Sequence, residues 1–265
     1  MRSIHKSSKL LRVDIVLSTA RKPKRWLLSI SLFLALFARE LLAGQVLNIS
    51  SQQVYITQIC EAIVSEALKN IGIEASIKHL PTARAAFISN AGGSDAEICR
   101  VKGFADKYKN LIRINPSIIP LKASVFTKNL ALTIVPDEWE LLIPYKVGIH
   151  TGHFYSTEAT KNFPGVVKVT TDKQLLKMLT ISRLDAAVLI RTDAIAVIKD
   201  LGLEDDVKML SPPIAQYPLH FFIHKKNKHL ERRISEAIQQ IVSSGRAAEI
   251  YLKYLDMLEE GGYKS

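Results

Sequence analysis

Two similar stretches decide the fold: "HLPTARAAFISNAGGSDAEICR" from His79 to Arg100, and "TTDKQLLKMLTISRLDAAVLIR" from Thr170 to Arg191. Each reads as a helix followed by a turn, an Asp and a short apolar run that ends on an arginine. Apolar runs of this length, bounded by turn residues and placed after helices, are typical of buried strands. The sequence therefore predicts one helix–turn–strand unit that is built twice.

Strands and helices alternate around both stretches. "QVLNIS" and "IEASIKHL" read as strands on either side of an amphipathic helix. Gly72 is the predicted end of that helix. The same alternation restarts at "YKVGIH" and continues through "VVKVT" and "DAAVLI". Alternation of this kind implies parallel strand pairing, so the predicted class is α/β. Two helix-like runs close the chain.

The Asp that opens each predicted strand, Asp95 or Asp185, is interpreted as a turn residue that hydrogen-bonds nearby backbone. The arginine at each strand end has a different expected role. Ligands of open α/β sheets bind at the carboxyl ends of the strands, which is where Arg100 and Arg191 fall. Both arginines are therefore candidate ligand-binding residues.

The first 44 residues are predicted to be an export signal that is removed near Ala43. "RKPKR" supplies the positive region and "WLLSISLFLALFA" the apolar region, which is short for a bilayer span. An uncleaved N-terminal anchor is the alternative. Export places the protein in the periplasm.

The formal charge of +11 is concentrated in this segment, which holds nine Lys and Arg against two acids. The remaining chain carries +4, an ordinary balance for a globular surface, so no nucleic-acid partner is predicted. The two cysteines, Cys60 and Cys99, would meet an oxidising compartment after export. Because nothing in the sequence brings them together, two buried thiols are slightly favoured over a disulfide.

Taken in order, several segments resemble the type II periplasmic solute-binding proteins, specifically the family-3 group that binds amino acids. "EAIVSEALKNIGIEASIKHLPTARAAFISNAGGSDAEICR" resembles the first half of that family's first lobe. "YKVGIHTGHFYSTEA" and "LLKMLTISRLDAAVLI" resemble its second lobe, and "PLHFFIHKKNKHLERRISEAIQQIVSSGRAAEIY" the returning strand and closing helix.

The resemblance implies two lobes joined by two crossover strands, with the ligand captured between them. The expected boundaries are 1–44 for the signal, 45–125 for the first part of lobe I, 126–218 for lobe II and 219–265 for the return to lobe I. The resemblance also implies a monomer without a cofactor. Such a protein delivers a small ligand to a membrane permease of an ABC transporter or reports the ligand to a sensor.

The sequence departs from the amino-acid binders at the position where they hold the ligand's ammonium group. A carboxylate is expected at the end of "DAAVLI", and Ile190 stands there. Because an ammonium buried without a counter-charge is costly, an anionic or carboxylate-bearing ligand is predicted instead of a zwitterion in the usual pose. The candidate ligand-binding residues are Arg100, Arg84, Ser51, Tyr55, His153, Tyr155 and Arg191.

No hydrolase, zincin or P-loop motif is present, so an enzyme is not predicted. His150 and His153 are three residues apart, but a strand followed by a turn is not expected to place them on one face, so no metal site is predicted. Two alternatives stay open: a periplasmic enzyme on the same scaffold, such as a dehydratase, and a protein whose cleft has decayed and whose surface docks a partner. A paired acid and histidine inside the cleft would favour the enzyme, and a cleft filled by the protein's own side chains would favour the docking protein.

Overall fold

A computed structural model describes residues 45–128, 131–151 and 153–260. The predicted signal segment lies outside the described residues. Within the described ranges, no helix is both long and apolar enough to cross a membrane.

The two predicted units are confirmed as helix–strand pairs of an α/β fold. The first half contains β1 (Gln45–Ser51), α1 (Tyr55–Asn70), β2 (Ile73–His79), α2 (Thr82–Asn90), β3 (Ala96–Val101), α3 (Phe104–Lys107), β4 (Leu111–Arg113) and β5 (Ile119–Thr127). The second contains a 3-10 turn (Trp139–Leu142), β6 (Val147–His150), α4 (Phe154–Ala159), β7 (Val166–Val169), α5 (Asp172–Thr180), β8 (Ala186–Ile190), α6 (Arg191–Leu201) and β9 (Lys208–Met209). β10 (Ala215–His224), a second 3-10 turn (Lys225–Leu230), α7 (Glu231–Ser243) and α8 (Arg246–Glu259) complete the chain.

The strands form two parallel groups that are joined through two long antiparallel strands. The main strand order is β2-β1-β3-β10-β5-β8-β6-β7, with β4 beside β10 and β9 beside β5. β1 is parallel to β2 and β3, and β6 is parallel to β7 and β8. β5 and β10 each run antiparallel to the strand group of one lobe and to one another. They are the crossover strands of a two-lobed fold, and the predicted boundaries at 125 and 218 fall within them.

Apolar side chains explain why each lobe holds its helices against its strands. α1 buries Ile59, Ile63 and Ala67 on one face, as their spacing of four residues predicts. In the second lobe, Leu175 and Leu184 fill the space over Gly148, where an added Cβ would come within 2.5 Å of both side chains. This close approach seats β6, the strand that ends at His150, tightly against α5.

The interpretation of the opening Asp residues is confirmed in its structural role, but their partners are not local. Asp95 Oδ2 accepts the backbone N–H of Asn48 at 2.9 Å, and the Asp95 N–H donates to the Asn48 carbonyl at 2.7 Å. Asp185 makes the same pair of bonds with Lys146, at 2.7 and 3.0 Å. Each Asp therefore joins the start of its strand to the neighbouring parallel strand.

The slight preference for two free thiols was wrong, because a disulfide joins Cys60 and Cys99. Their Cα atoms lie 6.1 Å apart, within the usual range for a disulfide. α1 packs directly on β3, and this packing brings together two residues that are 39 positions apart in the sequence. The sequence could not show that proximity.

Candidate functional site

Polar side chains of lobe II meet at the carboxyl edge of its parallel strands. β6 ends at His150, α5 begins after β7 at Asp172, and Asp193 lies in the first turn of α6 after β8. His150 Nδ1 lies 2.9 Å from Asp172 Oδ1, at ion-pair distance, although the contact does not have the angle of a hydrogen bond. The Asp172 carboxylate raises the pKa of His150, and burial acts in the opposite direction.

The expectation that His150 and His153 would not share a face was wrong. Their ring centroids are 4.3 Å apart, because the turn after β6 is tight enough for the His153 N–H to donate to the His150 carbonyl. The His153 ring stacks on Tyr155 at 5.5 Å, and Tyr155 lies 5.3 Å from Tyr217 on crossover strand β10. A row of four rings thus runs from the edge of lobe II to the crossover.

Burial shapes the protonation of this row. Desolvation lowers the pKa of His153 to about 4, and the neighbouring His150 adds to this effect. Burial also raises the pKa of the Tyr155 phenol, with the Asp172 charge acting in the same direction. His153 is therefore neutral and Tyr155 protonated at neutral pH, so both are available as hydrogen-bonding groups.

Asp193 connects the two lobes. The residue is 5% exposed, its Oδ1 accepts the Tyr55 N–H at 2.8 Å, and its Oδ2 accepts the Thr192 hydroxyl at 3.1 Å. Tyr55 begins α1 in lobe I, whereas Asp193 belongs to α6 in lobe II. Burial raises the pKa of Asp193 to about 7, with the Asp172 charge acting in the same direction and the helix amides opposing it.

Arg100 forms a buried ion pair within lobe I. Its Nε donates to Glu97 Oε1 at 2.8 Å and its Nη2 to the Thr82 carbonyl at 3.1 Å, while the guanidinium lies 4.8 Å from the centre of the Phe104 ring. Glu97 is fully buried and also accepts the Ser89 hydroxyl. Burial raises the pKa of Glu97, and Arg100 and Ser89 oppose that rise.

A bulge in β3 makes this pairing possible. Glu97 and Arg100, three residues apart on β3, face Phe222 and His220, which are two residues apart on β10. The intervening Cys99 has φ +57°, in the left-handed region. The extra residue brings two side chains that strand alternation would separate to the same side of the sheet.

Ser51 and Tyr55 lie where β1 gives way to α1. Ser51 is fully buried and donates its hydroxyl to Glu61, which also contacts His79 Nε2 at 3.0 Å. Tyr55 is half-buried, and its backbone amide rather than its ring makes the bond to Asp193.

Arg84 and Arg191 do not join Arg100. Arg84 lies exposed on α2 and forms no ion pair with any residue that the structure describes. Arg191 begins α6, where its charge partly opposes the raised pKa that burial gives Tyr251 on α8. Arg191 Nε is buried, with no hydrogen-bond partner among the described residues. The three arginines thus occupy separate surroundings.

The structure brings together His153, Tyr155 and Tyr55 from the predicted residues, and it adds four that the sequence argument did not select: Asp193, Asp172, His150 and Tyr217. Acids in the first turn of a helix that follows a parallel strand were a usable signal for the two Asp residues. The contact between Asp193 and Tyr55 carried no such signal, since 138 residues separate them.

Comparisons with known proteins support the fold at low sequence identity. No protein-family model matches the sequence. No curated protein matches it either.

Solved structures match over about four fifths of the chain. The GluR0 ligand-binding core in complex with L-glutamate aligns with a TM-score of 0.67 at 12% identity, covering 80% of this chain and 99% of that one. A histidine kinase sensor domain with similarity to periplasmic binding proteins aligns at 0.63 and 15%, covering 80% and 96%. The amino acid ABC transporter substrate-binding protein AbpA from Streptococcus pneumoniae, bound to L-arginine, aligns at 0.62 and 13%, covering 80% and 95%.

These alignments, with the strand order and the two crossover strands, define the class of fold. The chain has the two-lobed type II periplasmic-binding-protein fold, as the sequence resemblance predicted.

Proposed function

We propose that this protein captures a small polar, carboxylate-bearing ligand between its two lobes, outside the cytoplasmic membrane, for a transporter or a sensor. The observation that carries the proposal is the set of buried polar groups at the carboxyl edge of lobe II, where it meets α1 of lobe I. In open α/β sheets this edge is where ligands bind, and the boundary between lobes is a preferred place for small-ligand pockets.

The neighbours in structure support the ligand class. L-glutamate and L-arginine, the ligands of the GluR0 core and of AbpA, both carry a carboxylate. In this chain Arg84 and Arg191 are cations without an ion-pair partner among the described residues, and a guanidinium matches a carboxylate well. Arg100 is the weaker candidate, because Glu97 already neutralises it. The proposed ligand-binding residues are Arg84, Arg191, Ser51, Tyr55, His153 and Tyr155.

A cationic group on the same ligand also has acceptors available. Position 190 is Ile, but Asp193 lies one helical turn further on at the same edge, and Asp172 is beside it. The proposal therefore includes ligands with an ammonium group, held in a different pose from that of the amino-acid binders.

Thermal unfolding against a ligand panel tests the proposal. The protein produced from the full-length chain is heated with amino acids, dicarboxylic acids, polyamines and sugars. A ligand at about 100 times its dissociation constant adds about 2.7 kcal/mol, enough to raise the midpoint by several degrees. We expect that shift with carboxylate-bearing compounds, and we expect Arg191→Ala or Arg84→Ala to reduce it.

Lys168→Ala provides the matched control, because Lys168 is an exposed cation on outer strand β7. Loss of the shift in this variant as well would mean that the arginine effects are not specific. A shift with polyamines or sugars alone would overturn the carboxylate-bearing ligand. No shift with any compound would favour the protein whose surface docks a partner.

An enzyme is the second candidate, because the structure does place a paired acid and histidine, His150 and Asp172, at this edge. A histidine that a carboxylate orients is a common general base. Mass spectrometry of each compound that shifts the midpoint, after incubation with the protein, separates the two functions. Conversion that His150→Ala abolishes while the thermal shift persists would establish the enzyme; unchanged compound would support the binding protein.

A further inference from the structure

We infer that Asp193 is a latch that holds the two lobes together in the ligand-free protein. The first backbone amides of α1 need acceptors, as those of every helix do. Val54 at its N-cap supplies no side-chain acceptor, and its first turn contains no acidic residue. The acceptor comes from the other lobe, because Asp193 Oδ1 takes the Tyr55 N–H at 2.8 Å.

The same carboxylate is fixed within its own lobe. Asp193 lies in the first turn of α6, where a negative charge is favourable, and its Oδ2 accepts the Thr192 hydroxyl. One carboxylate thus serves the amino ends of two helices, α1 in lobe I and α6 in lobe II. These helices also pack on one another, and α8 contacts both of them.

The surroundings of Asp193 make the contact dependent on closure. The titratable groups that face it are Asp172, His150 and Tyr155, all from lobe II, and it makes no ion pair with any described residue. Among the residues that the structure describes, its partners in lobe I are therefore backbone amides. Separating the lobes breaks those bonds and leaves the α1 amides to water.

The Asp193 contact also determines how the lobes rest when no ligand is bound. The protein's own carboxylate replaces contacts that a bound molecule would otherwise make between the lobes. The ligand-free protein is thus expected to rest with its lobes together, and a ligand has to enter through an opening that releases Asp193.

Distances between spin labels on the outer strands test the latch without any ligand. Lys78→Cys on β2 and Lys168→Cys on β7 place the labels at exposed positions on opposite ends of the strand order, while Cys60 and Cys99 are held in their disulfide. In the full-length chain we expect one short-distance population. Asp193→Ala is expected to add a longer population, and Asp193→Asn, which keeps an acceptor oxygen, to remain mostly short.

Asp185→Ala is the matched control. It removes a carboxylate that accepts a backbone N–H at 2.7 Å, but from Lys146 in the same lobe, so the short distance should persist. A single short population in Asp193→Ala, equal to that of the parent, would overturn the latch. So would a long population in the parent itself.

Amide hydrogen exchange of the parent protein gives a test that needs no variant. Exchange at Tyr55 should be as slow as exchange in the middle of α1, although first-turn amides normally exchange fast. Fast exchange at Tyr55, with the middle of α1 protected, would also overturn the latch.

Discussion

The two helix–turn–strand units begin alike and end differently. α2 and α5 each contain nine residues, and each is followed by an Asp that exchanges two hydrogen bonds with the neighbouring strand. β8 then pairs residue by residue with β5, from Ala186 to Ile190. β3 instead carries a bulge at Cys99 against β10.

The extra residue in β3 gives lobe I a buried ion pair that lobe II lacks. In lobe I the bulge brings Glu97 to Arg100, and the two charges neutralise one another. In lobe II the position equivalent to Glu97 is Ala187, and the position equivalent to Arg100, once the extra residue of β3 is allowed for, is Leu189. The buried charge of lobe II, Asp193, has no cation partner among the described residues, and burial raises its pKa to about 7. Lobe I thus offsets the cost of burying a carboxylate with an ion pair, and lobe II offsets it with a bound proton.

The largest expected effect comes from breaking the Glu97–Arg100 ion pair of lobe I. Glu97→Ala leaves Arg100, which is 8% exposed, without its counter-charge. Removing one partner of a buried pair costs about 3–5 kcal/mol, and urea unfolding should show a loss of that size. Glu97→Leu combined with Arg100→Met removes both charges and should recover much of it. A loss below about 1 kcal/mol in the single variant would mean that the pair is not isolated from water.

The raised pKa of Asp193 in lobe II predicts that the stability of the protein depends on pH. Since the pKa of Asp193 is raised to about 7 in the folded protein, the folded state keeps a proton that the unfolded chain releases above about pH 4. The stability that Asp193 contributes therefore falls as pH rises through this window, by about 1.4 kcal/mol per unit, and is flat above about pH 7.

Asp193→Asn isolates this effect. Urea unfolding of both proteins should give a stability difference that changes by roughly 3 kcal/mol in favour of the Asn variant between about pH 4.5 and 7. His153, whose pKa is lowered to about 4, contributes stability that is lost as pH falls, but it is present in both proteins and cancels. A difference that is constant with pH would show that Asp193 is ionised throughout.

The hydrogen bonds of Asp95 and Asp185, which the two units share, predict two similar losses of stability. Asp95→Ala and Asp185→Ala each remove a carboxylate that accepts a backbone N–H, at about 1–3 kcal/mol each. The loss at Asp95 should be the larger, because Lys226 lies 2.9 Å away and loses its ion-pair partner. Asp106→Ala, an exposed acid on α3, should change stability by less than about 0.5 kcal/mol. Loss in only one of the two Asp variants would break the equivalence of the units.

The part of the fold that the sequence predicted is the part that local pattern controls. Helix faces such as Ile59 and Ile63, the short apolar strands and their parallel pairing all follow from spacing within one segment. The crossover strands were expected only through the resemblance. What could not be predicted depends on non-local contact or on an irregular backbone.

The candidate site shows this limit residue by residue. Arg100 lies near the end of its strand, as predicted. Its pairing with Glu97 depends on the bulge at Cys99, and no turn residue in the sequence signals that bulge. The disulfide and the bond from Tyr55 to Asp193 join residues whose distance depends on how helices pack. Strand alternation alone would assign the wrong face to each residue beyond a bulge.

The smallest expected effect concerns the starts of the two equivalent helices. Thr171 caps α5, with its hydroxyl accepting the Gln174 N–H at 3.2 Å, whereas the equivalent Pro81 of α2 makes no side-chain cap. Thr171→Ala should therefore cost about 1 kcal/mol in urea unfolding, and Thr171→Ser, which keeps the acceptor, should cost only a few tenths. If Ser and Ala lower the stability equally, the loss comes from the methyl group of Thr171 and not from its cap, and the two helix starts are alike after all.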